Sequence, residues 1–539
     1  MRNLKIKGMA AMAAILCMTV SPTVAERLVI LHTNDTHSSI EPSTDGSGGI
    51  LNRKAIMDSV RRAEKNVIAV DAGDAVQGSL YFKFFRGDVE YPLMDMMGYD
   101  IRILGNHEFD NGLRDLARHY KKVKGTPLSA NYDFTGTELE GVFKPWVIKK
   151  VGGKKIGFIG LNVNPESLIV AGNYKGMKFS DIIETANREA GILKREKGCD
   201  LVVAVTHIGY TSTPDRTSDV DLARASRDID IIIGGHSHTL VDPEHPEINP
   251  CFVDNADGRP VLITQTGKYG KKIGKIEIDL DAPASADPKQ RFGYSLIPVT
   301  ARFPEQSLDR KMSAFIAPYR HVVDSVNAHV IGKALRPLDS DERNGGYPNF
   351  AADFAMWYGY LKADSIVSAG GTMPRPDMAV MNVGGIRQNM PEGDITEGQM
   401  LSTFPFSNSM MLISLKGKDI IESLGVAARK GGEAISGNVR VVTDSVGNLV
   451  RVVIDDEDMD PEQVYTVATI DYVAQGNDDL RSMARNTLLW RDDVEMAAPM
   501  LRYIRHLTDL GLPVAPDPTG RFQKQVSLDS SQKCSHCRK

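Results

Sequence analysis

Short apolar runs alternate with amphipathic segments from Glu26 to about Phe303. The apolar runs are typical of buried parallel strands, and they span Leu28 to His32, Val67 to Val70, Ile101 to Leu104, Leu201 to Val205 and Ile229 to Ile233. Ile50 to Arg62 and Ile182 to Lys194 have the spacing of amphipathic helices. Val261 to Thr266 and Ile273 to Ile278 predict antiparallel strands at the end of this region. The alternation predicts a layered α/β domain over residues 26–305.

The second half of the chain predicts a separate α/β domain over residues 331–525. An amphipathic segment over residues 306–330 predicts a helix that links the two. Beyond it, strands are predicted over Met378 to Met381, Met410 to Leu415 and Val464 to Asp471, and helices from Asp394 to Gln399 onward and over Gly417 to Ala428. A polar tail, residues 526–539, follows. A chain of 539 residues exceeds the usual span of one core, which agrees with this division.

The first 25 residues have the pattern of a secretory signal peptide. Basic residues precede the apolar run from Met9 to Val20, and Thr23-Val24-Ala25 follows it as a small-residue cleavage site. The run is too short to span a membrane, so no transmembrane segment is predicted. We therefore expect export to the periplasm or cell surface, with lipidation at Cys17 as an open alternative.

The net charge and the cysteines narrow the class of protein further. A net charge of −5 and a pI near 6.2 argue against a nucleic-acid-binding protein. Cys199 and Cys251 either pair or remain buried thiols, and the sequence does not decide between these. Cys534 and Cys537 offer too few ligands for a closed zinc site, so a local disulfide or no bond is expected. The oligomeric state stays open.

Polar side chains follow each of the five strand-like runs. Carboxylate, imidazole and carboxamide groups stand directly after them, at Asp35, His37, Asp74, Asn106, His107, His207, His236 and His238. One such motif alone is usually a turn, a helix cap or a satisfied core histidine. Because parallel strands end at the same edge of a sheet, all five together predict one site with metal-ligand chemistry.

These motifs resemble a known family. Asp35-x-His37, Gly73-Asp74, Gly105-Asn106-His107-Glu108, His207 and Gly235-His236-x-His238 resemble the ordered motif set of the calcineurin-like metallophosphoesterases. The longer strings from Leu31 to His37 and from Gly105 to Gly112 are similar to those of the 5′-nucleotidase and UDP-sugar hydrolase family. The resemblance implies an N-terminal four-layer αββα sandwich, a linking helix and a C-terminal α/β nucleotide-binding domain.

The resemblance also implies a dimetal site. Asp35, His37, Asp74 and His238 would hold one divalent ion and Asp74, Asn106, His207 and His236 the other, with Asp74 bridging. Mixed Asp, His and Asn ligands suit Zn²⁺, Mn²⁺, Co²⁺ or Fe²⁺ better than Ca²⁺. His107 is expected to stabilise the transition state or protonate the leaving group, and Asp110 to accept the second imidazole N–H.

Strings in the second domain resemble the family's nucleotide-binding domain. The matching segments are Asn382 to Arg387, Pro405 to Asn408 and the loop from Tyr472 to Asp478. The substrate-binding residues implied are Asn382, Arg387, Phe406, Asn408, Gly437, Tyr472, Asp478 and Arg343. Two departures are present: Tyr472 stands where the family usually has phenylalanine, and only Arg343 remains of the basic residues that the family places before Asn344.

The expected function is that of an exported dimetal phosphohydrolase that removes phosphate from nucleotides in salvage. Whether it extends to UDP-sugars stays open. Alternatives are a 2′,3′-cyclic-nucleotide phosphodiesterase/3′-nucleotidase, because the same dimetal core serves it, and a non-catalytic nucleotide-binding surface protein with structural metals. The His107–Asp110 pair favours an enzyme, because a purely structural metal site has no use for it.

Overall fold

The structure is a computed structural model that describes residues 26–43, 45–166, 168–211, 216–283, 286–300, 304 and 308–525. The predicted signal peptide, residues 1–25, lies outside the described residues. So does the polar tail, residues 526–539, with Cys534 and Cys537.

Fourteen strands build the first half of the described chain. They are β1 (Arg27–Thr33), β2 (Val67–Asp71), β3 (Ile101–Arg102), β4 (Thr126–Pro127), β5 (Tyr132–Asp133), β6 (Trp146–Val151), β7 (Lys154–Asn162), β8 (Lys178–Phe179), β9 (Leu201–His207), β10 (Ile231–Ile233), β11 (Phe252–Asp254), β12 (Pro260–Thr264), β13 (Lys272–Asp279) and β14 (Phe292–Pro298). Twelve of them form two six-stranded sheets, in the orders β14-β13-β1-β2-β3-β4 and β11-β12-β10-β9-β7-β6. Both sheets are mixed, with parallel strands at their centres.

Seven helices accompany these strands: α1 (Ile50–Ala63), α2 (Leu80–Phe85), α3 (Glu90–Met97), α4 (Gly112–Tyr120), α5 (Ile182–Gly191), α6 (Asp219–Ala225) and α7 (Pro288–Arg291). Because side chains alternate along a strand, Leu28 and Ile30 of β1 pack in one apolar core with Phe158 and Val203 of the second sheet. Val29 of β1 belongs instead to a core that includes α1 and α3. The two sheets therefore pack face to face, with helices outside them.

The two strands predicted at the end of this domain do not pair with each other. Lys272–Asp279 lies antiparallel to β1 in the first sheet, as an antiparallel addition should. Pro260–Thr264 belongs to the second sheet, where it runs parallel to β10 on one side and antiparallel to β11 on the other. The prediction of an antiparallel strand therefore holds for one of its two neighbours, because sequence alternation reports which face is buried and not which neighbours a strand finds.

A long helix, α8 (Arg310–Asn327), joins the two halves and buries Met312, Ile316 and Val323. The strands that follow are β15 (Val330–Ala334), β16 (Met378–Met381), β17 (Gly393–Thr396), β18 (Ser409–Lys416), β19 (Ala434–Ile435), β20 (Val439–Thr443), β21 (Leu449–Ile454), β22 (Glu457–Asp458), β23 (Val464–Ile470), β24 (Thr487–Glu495) and β25 (Phe522–Lys524). The helices are α9 (Gly346–Ser368), α10 (Glu397–Thr403), α11 (Gly417–Arg429), α12 (Asp471–Ala474) and α13 (Ala497–Asp509).

The second half is centred on a five-stranded sheet of order β19-β16-β23-β18-β24. The helix predicted from Asp394 begins later, at Glu397, because residues 393–396 pair with β15 and Thr396 caps the helix. Within the part of the chain that the structure describes, no helix combines the length and the apolar character needed to cross a membrane. Cys199 and Cys251 are both buried free thiols.

Candidate active site

The loops after β1, β2, β3, β9 and β10 meet at one edge of the two facing sheets. Five of the predicted ligands there have left-handed backbone: Asp35, His37, Asp74, His236 and His238, with φ values of 49°, 46°, 52°, 77° and 56°. Side-chain-bearing residues rarely adopt this conformation, and where they do they often belong to functional sites. The strand-end loops therefore use a strained backbone to point several polar side chains at one place.

Gly105 allows two of these loops to touch. A Cβ atom added at this position would lie 2.1 Å from Oδ1 of Asp74 and 2.6 Å from its backbone nitrogen. The backbone of Gly105, in the loop after β3, thus packs directly against Asp74, in the loop after β2, and only glycine fits at this position. This contact explains why glycine precedes Asn106 in the motif.

Asp35, His37 and His238 form the first cluster of ligand-type atoms. Nε2 of His37 lies 2.9 Å from Nε2 of His238, and Oδ1 of Asp35 lies 3.6 Å from the latter and 3.9 Å from the former. Asp35 is oriented by Asn34, whose side-chain amide donates to Oδ2 at 2.6 Å. Separations of this size suit ligands bound at roughly 2.0–2.2 Å to a common ion.

Asp74, His207 and His236 form the second cluster, and Asn106 joins it. Oδ2 of Asp74 lies 3.1 Å from Nε2 of His207, and Nδ1 of His236 lies 2.9 Å from Oδ1 of Asn106. One ligand-type atom from each of Asp74, His207 and His236 lies within 4.8 Å of the other two. Asp74 also groups with His37 and His107. It is therefore the residue shared between neighbouring clusters.

The clustered side chains suit bound cations better than they suit hydrogen bonds to one another. Nδ1–H of His207 donates to the carbonyl of Ala72 at 2.7 Å, and its buried Nε2 faces Oδ2 of Asp74 at 3.1 Å without a hydrogen bond to any described residue. Burial lowers the pKa of His207, but the carboxylates of Asp74 and Asp35 raise it to about 10, so this contact calls for a positive charge, which a divalent ion would supply in place of the proton. The residues present thus fit divalent metal ions.

The protonation states agree with this interpretation. Burial lowers the pKa of His236 to about 3 and those of His37 and His238 well below the ordinary value, so these imidazoles are neutral near pH 7 and can coordinate. Burial opposes ionisation of Asp74, but the charges of His207 and His107 hold its pKa well below the usual range. Asp74 is therefore ready as an anionic ligand.

His107 and Asp110 form a pair beside these clusters. Nδ1 of His107 lies 3.0 Å from Oδ2 of Asp110, which also accepts from the side-chain amide of Gln77 at 3.0 Å. Burial works against the charged imidazole, yet the charges of Asp110 and Asp74 raise the pKa of His107 above its ordinary value. A cationic imidazole at this place can donate a proton or stabilise developing negative charge.

A cleft of about 690 Å³ connects these clusters to the second domain. Arg387 reaches across it, and its Nη2 atom lies 3.1 Å from Nε2 of His37. The ring of Phe406 lies 5.7 Å from that of His107 and 6.0 Å from the Arg387 guanidinium carbon. The second domain therefore places a cation and an aromatic ring directly beside the clustered ligands.

Asp478 organises the other side of the cleft. Its carboxylate accepts from the Asn382 side-chain amide at 2.7 Å and from the Tyr472 hydroxyl at 3.3 Å. The hydroxyl that distinguishes Tyr472 from the family's phenylalanine therefore orients the carboxylate. Asn382, Phe406, Asn408, Tyr472 and Asp478 all line the same cleft.

Two residues predicted for the substrate do not line this cleft. The Gly437 backbone N–H donates to Asp353 at 3.1 Å, next to the buried Arg521. Arg343 instead lies 3.5 Å from the buried carboxylate of Glu433. Both assignments came from the resemblance alone, and the structure does not bring either residue to the ligands.

Several residues of the site were missed in the sequence. The Glu108 carboxylate accepts three backbone N–H bonds, from Asp74, Ala75 and Gly105, at 3.1, 2.9 and 2.5 Å. Glu433 accepts the Val383 N–H and so fixes the loop that carries Asn382. Helix α2 supplies Phe82, Lys83 and Phe84 to the cleft wall. Glu108 stands within a recognised motif, whereas Glu433 and α2 gave no signal in the sequence.

Two family models match the chain. One, described as calcineurin-like phosphoesterase, matches residues 28–240, and the other, described as 5′-nucleotidase, C-terminal domain, matches residues 329–485. Among curated relatives, the mouse 5′-nucleotidase is 28% identical over 87% of this chain and 86% of its own length. Protein UshA of Escherichia coli is 27% identical over 84% and 86%.

The trifunctional nucleotide phosphoesterase protein YfkN of Bacillus subtilis is 28% identical over 94% of this chain. The match spans only 35% of the length of that protein. Among solved structures, a 5′-nucleotidase precursor from Thermus thermophilus is 28% identical, has a TM-score of 0.77 and is matched over 92% of this chain and 99% of its own.

Proposed function

Because the chain belongs to the 5′-nucleotidase family, which joins a calcineurin-like phosphoesterase domain to a 5′-nucleotidase C-terminal domain, we propose that it is an exported nucleotidase that uses two divalent ions to release phosphate from nucleotides. The family predicted from the sequence and its α/β fold class are thereby confirmed. The enzyme is a metallophosphoesterase.

One observation carries the proposal. A single cleft is lined both by ligand-type residues of the first domain, such as Asp74 and His236, and by recognition-type residues of the second, such as Phe406 and Asp478. A phosphate held at the first set would extend its nucleoside toward the second set. A general phosphatase would need only the first set.

The predicted ligand sets account for two ions. Asp35, His37, Asp74 and His238 would hold one ion, and Asp74, Asn106, His207 and His236 the other. Divalent ions held there would activate a water for attack on phosphorus and neutralise charge on the phosphoryl oxygens. Zn²⁺, Mn²⁺, Co²⁺ and Fe²⁺ all suit these ligands, so the identity of the metal stays open.

His107 has the role of acid or charge stabiliser. Its raised pKa keeps a proton on the imidazole, and Asp110 at 3.0 Å orients the ring. In 5′-nucleotide hydrolysis the proton would pass to the ester oxygen of the leaving nucleoside. His107 is therefore assigned to catalysis and not to metal binding, although it lies near Asp74.

The second domain recognises the nucleoside. Phe406 and Tyr472 would hold the base between their rings, since base–aromatic stacking tolerates any base. The Asp478 carboxylate, held by Asn382 and Tyr472, would accept hydrogen bonds from the ribose hydroxyls. Arg387, beside His37, would pair with the phosphate.

Export and a role in nucleotide salvage belong to the proposal as well. The pattern of residues 1–25 supports export. An exported nucleotidase makes nucleosides from nucleotides that cannot cross the membrane because of their charge.

A second candidate function is 2′,3′-cyclic-nucleotide phosphodiesterase/3′-nucleotidase activity. The similarity to a relative whose name states three nucleotide phosphoesterase functions favours it. A non-catalytic binding protein is disfavoured, because the His107–Asp110 pair has no structural use at a metal site.

A substrate panel tests the proposal. Metal-reconstituted protein is assayed with AMP, UMP, UDP-glucose, 2′,3′-cyclic AMP and ATP. We expect the highest kcat/KM for a nucleoside 5′-monophosphate. Hydrolysis of the cyclic nucleotide without hydrolysis of AMP or UMP would replace the first candidate by the second, and no hydrolysis of any of the five would refute both.

A further inference from the structure

The loop that carries Asp478 is tied to both domains through the residue that follows, Asp479. Oδ1 of Asp479 accepts a hydrogen bond from Nη2 of Arg216, in the first domain, at 2.5 Å. Oδ2 accepts one from Nζ of Lys430, which follows α11 in the second domain, at 2.7 Å. A cation from each domain thus holds one oxygen of this carboxylate, so Asp479 bridges the two halves of the molecule.

The backbone of this loop is strained at two consecutive positions. Asp478 and Asp479 have φ values of 54° and 64°, in the left-handed region that side-chain-bearing residues rarely adopt. Lys430 also donates to the carbonyl oxygen of Asp478 at 2.7 Å, and the Asn477 side-chain amide donates to the carbonyl of Tyr472 at 2.9 Å. Because such a conformation persists only where surrounding contacts enforce it, the partners of Asp479 help to set the shape of the loop.

The bridge joins charges that are largely shielded from solvent. The side chains of Asp479 and Arg216 are 13% and 17% exposed. Burial opposes ionisation of Asp479, but the hydrogen bonds and charges of Arg216 and Lys430 lower its pKa to about 2. Shielded charges are screened less by dissolved salt than charges on an open surface. Asp479 is therefore an anion near pH 7, and its contacts are able to hold a loop in place.

Arg216 stands close both to a predicted metal ligand and to the proposed base-binding ring. It lies between β9, which ends at His207, and α6. Burial lowers the pKa of His236, and the charge of Arg216 lowers it further. Burial raises the pKa of Tyr472, and the charge of Arg216 acts against this rise. Arg216 thus anchors the loop near the point where the two sets of side chains meet.

Asp479, Arg216 and Lys430 do not themselves line the cleft. Asp478 does line it, and its carboxylate is the group that we assign to the ribose hydroxyls. An effect of the three residues on a nucleotide must therefore pass through Asp478. This geometry is that of residues that position another side chain.

We propose that Asp479 is a positioning residue for nucleoside recognition, which sets Asp478 in its place at the cleft by pairing with Arg216 and Lys430. This inference rests on the proposed function and deepens it, because it adds a first-domain residue to the support of the second domain's recognition loop. Arg216 influences the selection of nucleotides without touching them. The loop is complete only while both domains hold the Asp479 carboxylate.

Steady-state kcat and KM for AMP and for p-nitrophenyl phosphate test this inference in the metal-loaded full chain. The variants are Asp479→Asn, Arg216→Gln and the two combined. Asparagine keeps the size of the side chain and tolerates a left-handed backbone, so Asp479→Asn removes little besides the charge. The matched control is Asp341→Asn. Asp341 also pairs a second-domain carboxylate with a first-domain cation, Lys268, but it stands in a different loop, between β15 and α9.

We expect each single variant to raise KM for AMP by about tenfold, as for loss of a hydrogen bond between charged groups. The kcat for AMP should stay near the wild-type value, because the ribose is bound alike in the ground state and the transition state. Both constants for p-nitrophenyl phosphate, which has no ribose, should also stay near wild type. The double variant should lose no more than the more affected single variant, because both substitutions break the same contact. Asp341→Asn should behave as wild type.

Three results would overturn the inference and leave the proposed function intact. They are an unchanged KM for AMP in Arg216→Gln, an equal loss on both substrates in that variant, and losses that add up in the double variant. A similar rise of KM in Asp341→Asn would also overturn it, because any contact between the domains would then serve. If wild type hydrolyses p-nitrophenyl phosphate but not AMP, the proposed function fails and this inference fails with it.

Discussion

Asp74 is the residue on which the contacts of the site converge. Its Oδ1 accepts the His107 backbone N–H at 2.9 Å, and its Oδ2 lies 3.1 Å from His207 and 4.0 Å from His37. It belongs to two of the three groups of ligand-type atoms found among the described residues. A single carboxylate that faces both clusters is what a bridging ligand requires.

Asp74→Asn should therefore abolish phosphate release and lower the metal content of the protein. The amide keeps the shape but loses the negative charge that both ions would share. Elemental analysis of the purified variant measures this directly. Full occupancy of both sites in Asp74→Asn would show that the bridge lies elsewhere.

His107→Ala should separate catalysis from metal binding. The variant loses a cationic imidazole but none of the proposed ligands, so both ions should remain while kcat falls by roughly 10²–10⁴-fold. Activity and metal content are measured on the same preparation. Loss of metal in this variant would make His107 a ligand and would contradict its assigned role.

At the scale of elements, loops are held in place by buried carboxylates. Glu108 binds three N–H groups of the loops after β2 and β3, and Glu433 holds the loop after β16 through the Val383 N–H. Glu433 is 3% exposed, and the nearby Arg343 is at 3.5 Å. Such a buried carboxylate makes the stability of the loop depend on pH.

Burial raises the pKa of Glu433 to about 7, above its ordinary value of 4.5. The folded state thus binds the proton more tightly than the unfolded chain, and this group lowers the free energy of unfolding as pH rises from 4.5 to about 7. Glu433→Gln cannot ionise and so does not lose this stability. From pH 5 to pH 8, the free energy of unfolding of the variant should therefore rise relative to that of wild type by on the order of 2 kcal/mol. Urea unfolding of both proteins at the two pH values measures the gain. Parallel pH profiles would contradict the raised pKa.

The elements also show what the sequence can predict. The strands β1, β2, β9 and β10 were found because buried parallel strands appear as short apolar runs, and the polar residues after them mark their ends. The partners of β12 and β13 were not found, because pairing depends on which sheet a strand joins. Nothing in the sequence marked helix α2 as part of the site, since apolar residues such as Phe82 and Phe84 look the same in a sequence whether they lie in a core or line a cleft. Arg343 and Gly437 were assigned from the resemblance and do not line the cleft, since local sequence does not determine distance from a site.

At the scale of the whole molecule, the two halves are joined by one apolar core. This core includes Val29 and Leu31 of the first sheet, Ile316 of α8 and Ile413 of the second domain. Polar contacts also cross the cleft, including the Tyr269 hydroxyl to the Arg387 carbonyl at 2.7 Å and the Gln388 side-chain amide to the Gly78 carbonyl at 3.0 Å. The proposed recognition residues are thus held against the predicted metal ligands by contacts between the two halves.

We propose that the two domains divide the work: the first performs the chemistry and the second selects nucleotides. Phe406→Ala tests it most directly, because this ring belongs to the second domain and would stack on a base. We expect kcat/KM for AMP to fall by the equivalent of roughly 1–3 kcal/mol. A generic ester such as p-nitrophenyl phosphate has no purine or pyrimidine base and should be hydrolysed nearly as in wild type.

The decisive measurement is therefore kcat/KM for AMP and for p-nitrophenyl phosphate, side by side, in wild type and Phe406→Ala with equal metal content. We expect a loss confined to AMP. An equal loss on both substrates would contradict it, because Phe406 would then support the catalytic centre itself instead of the recognition of the base.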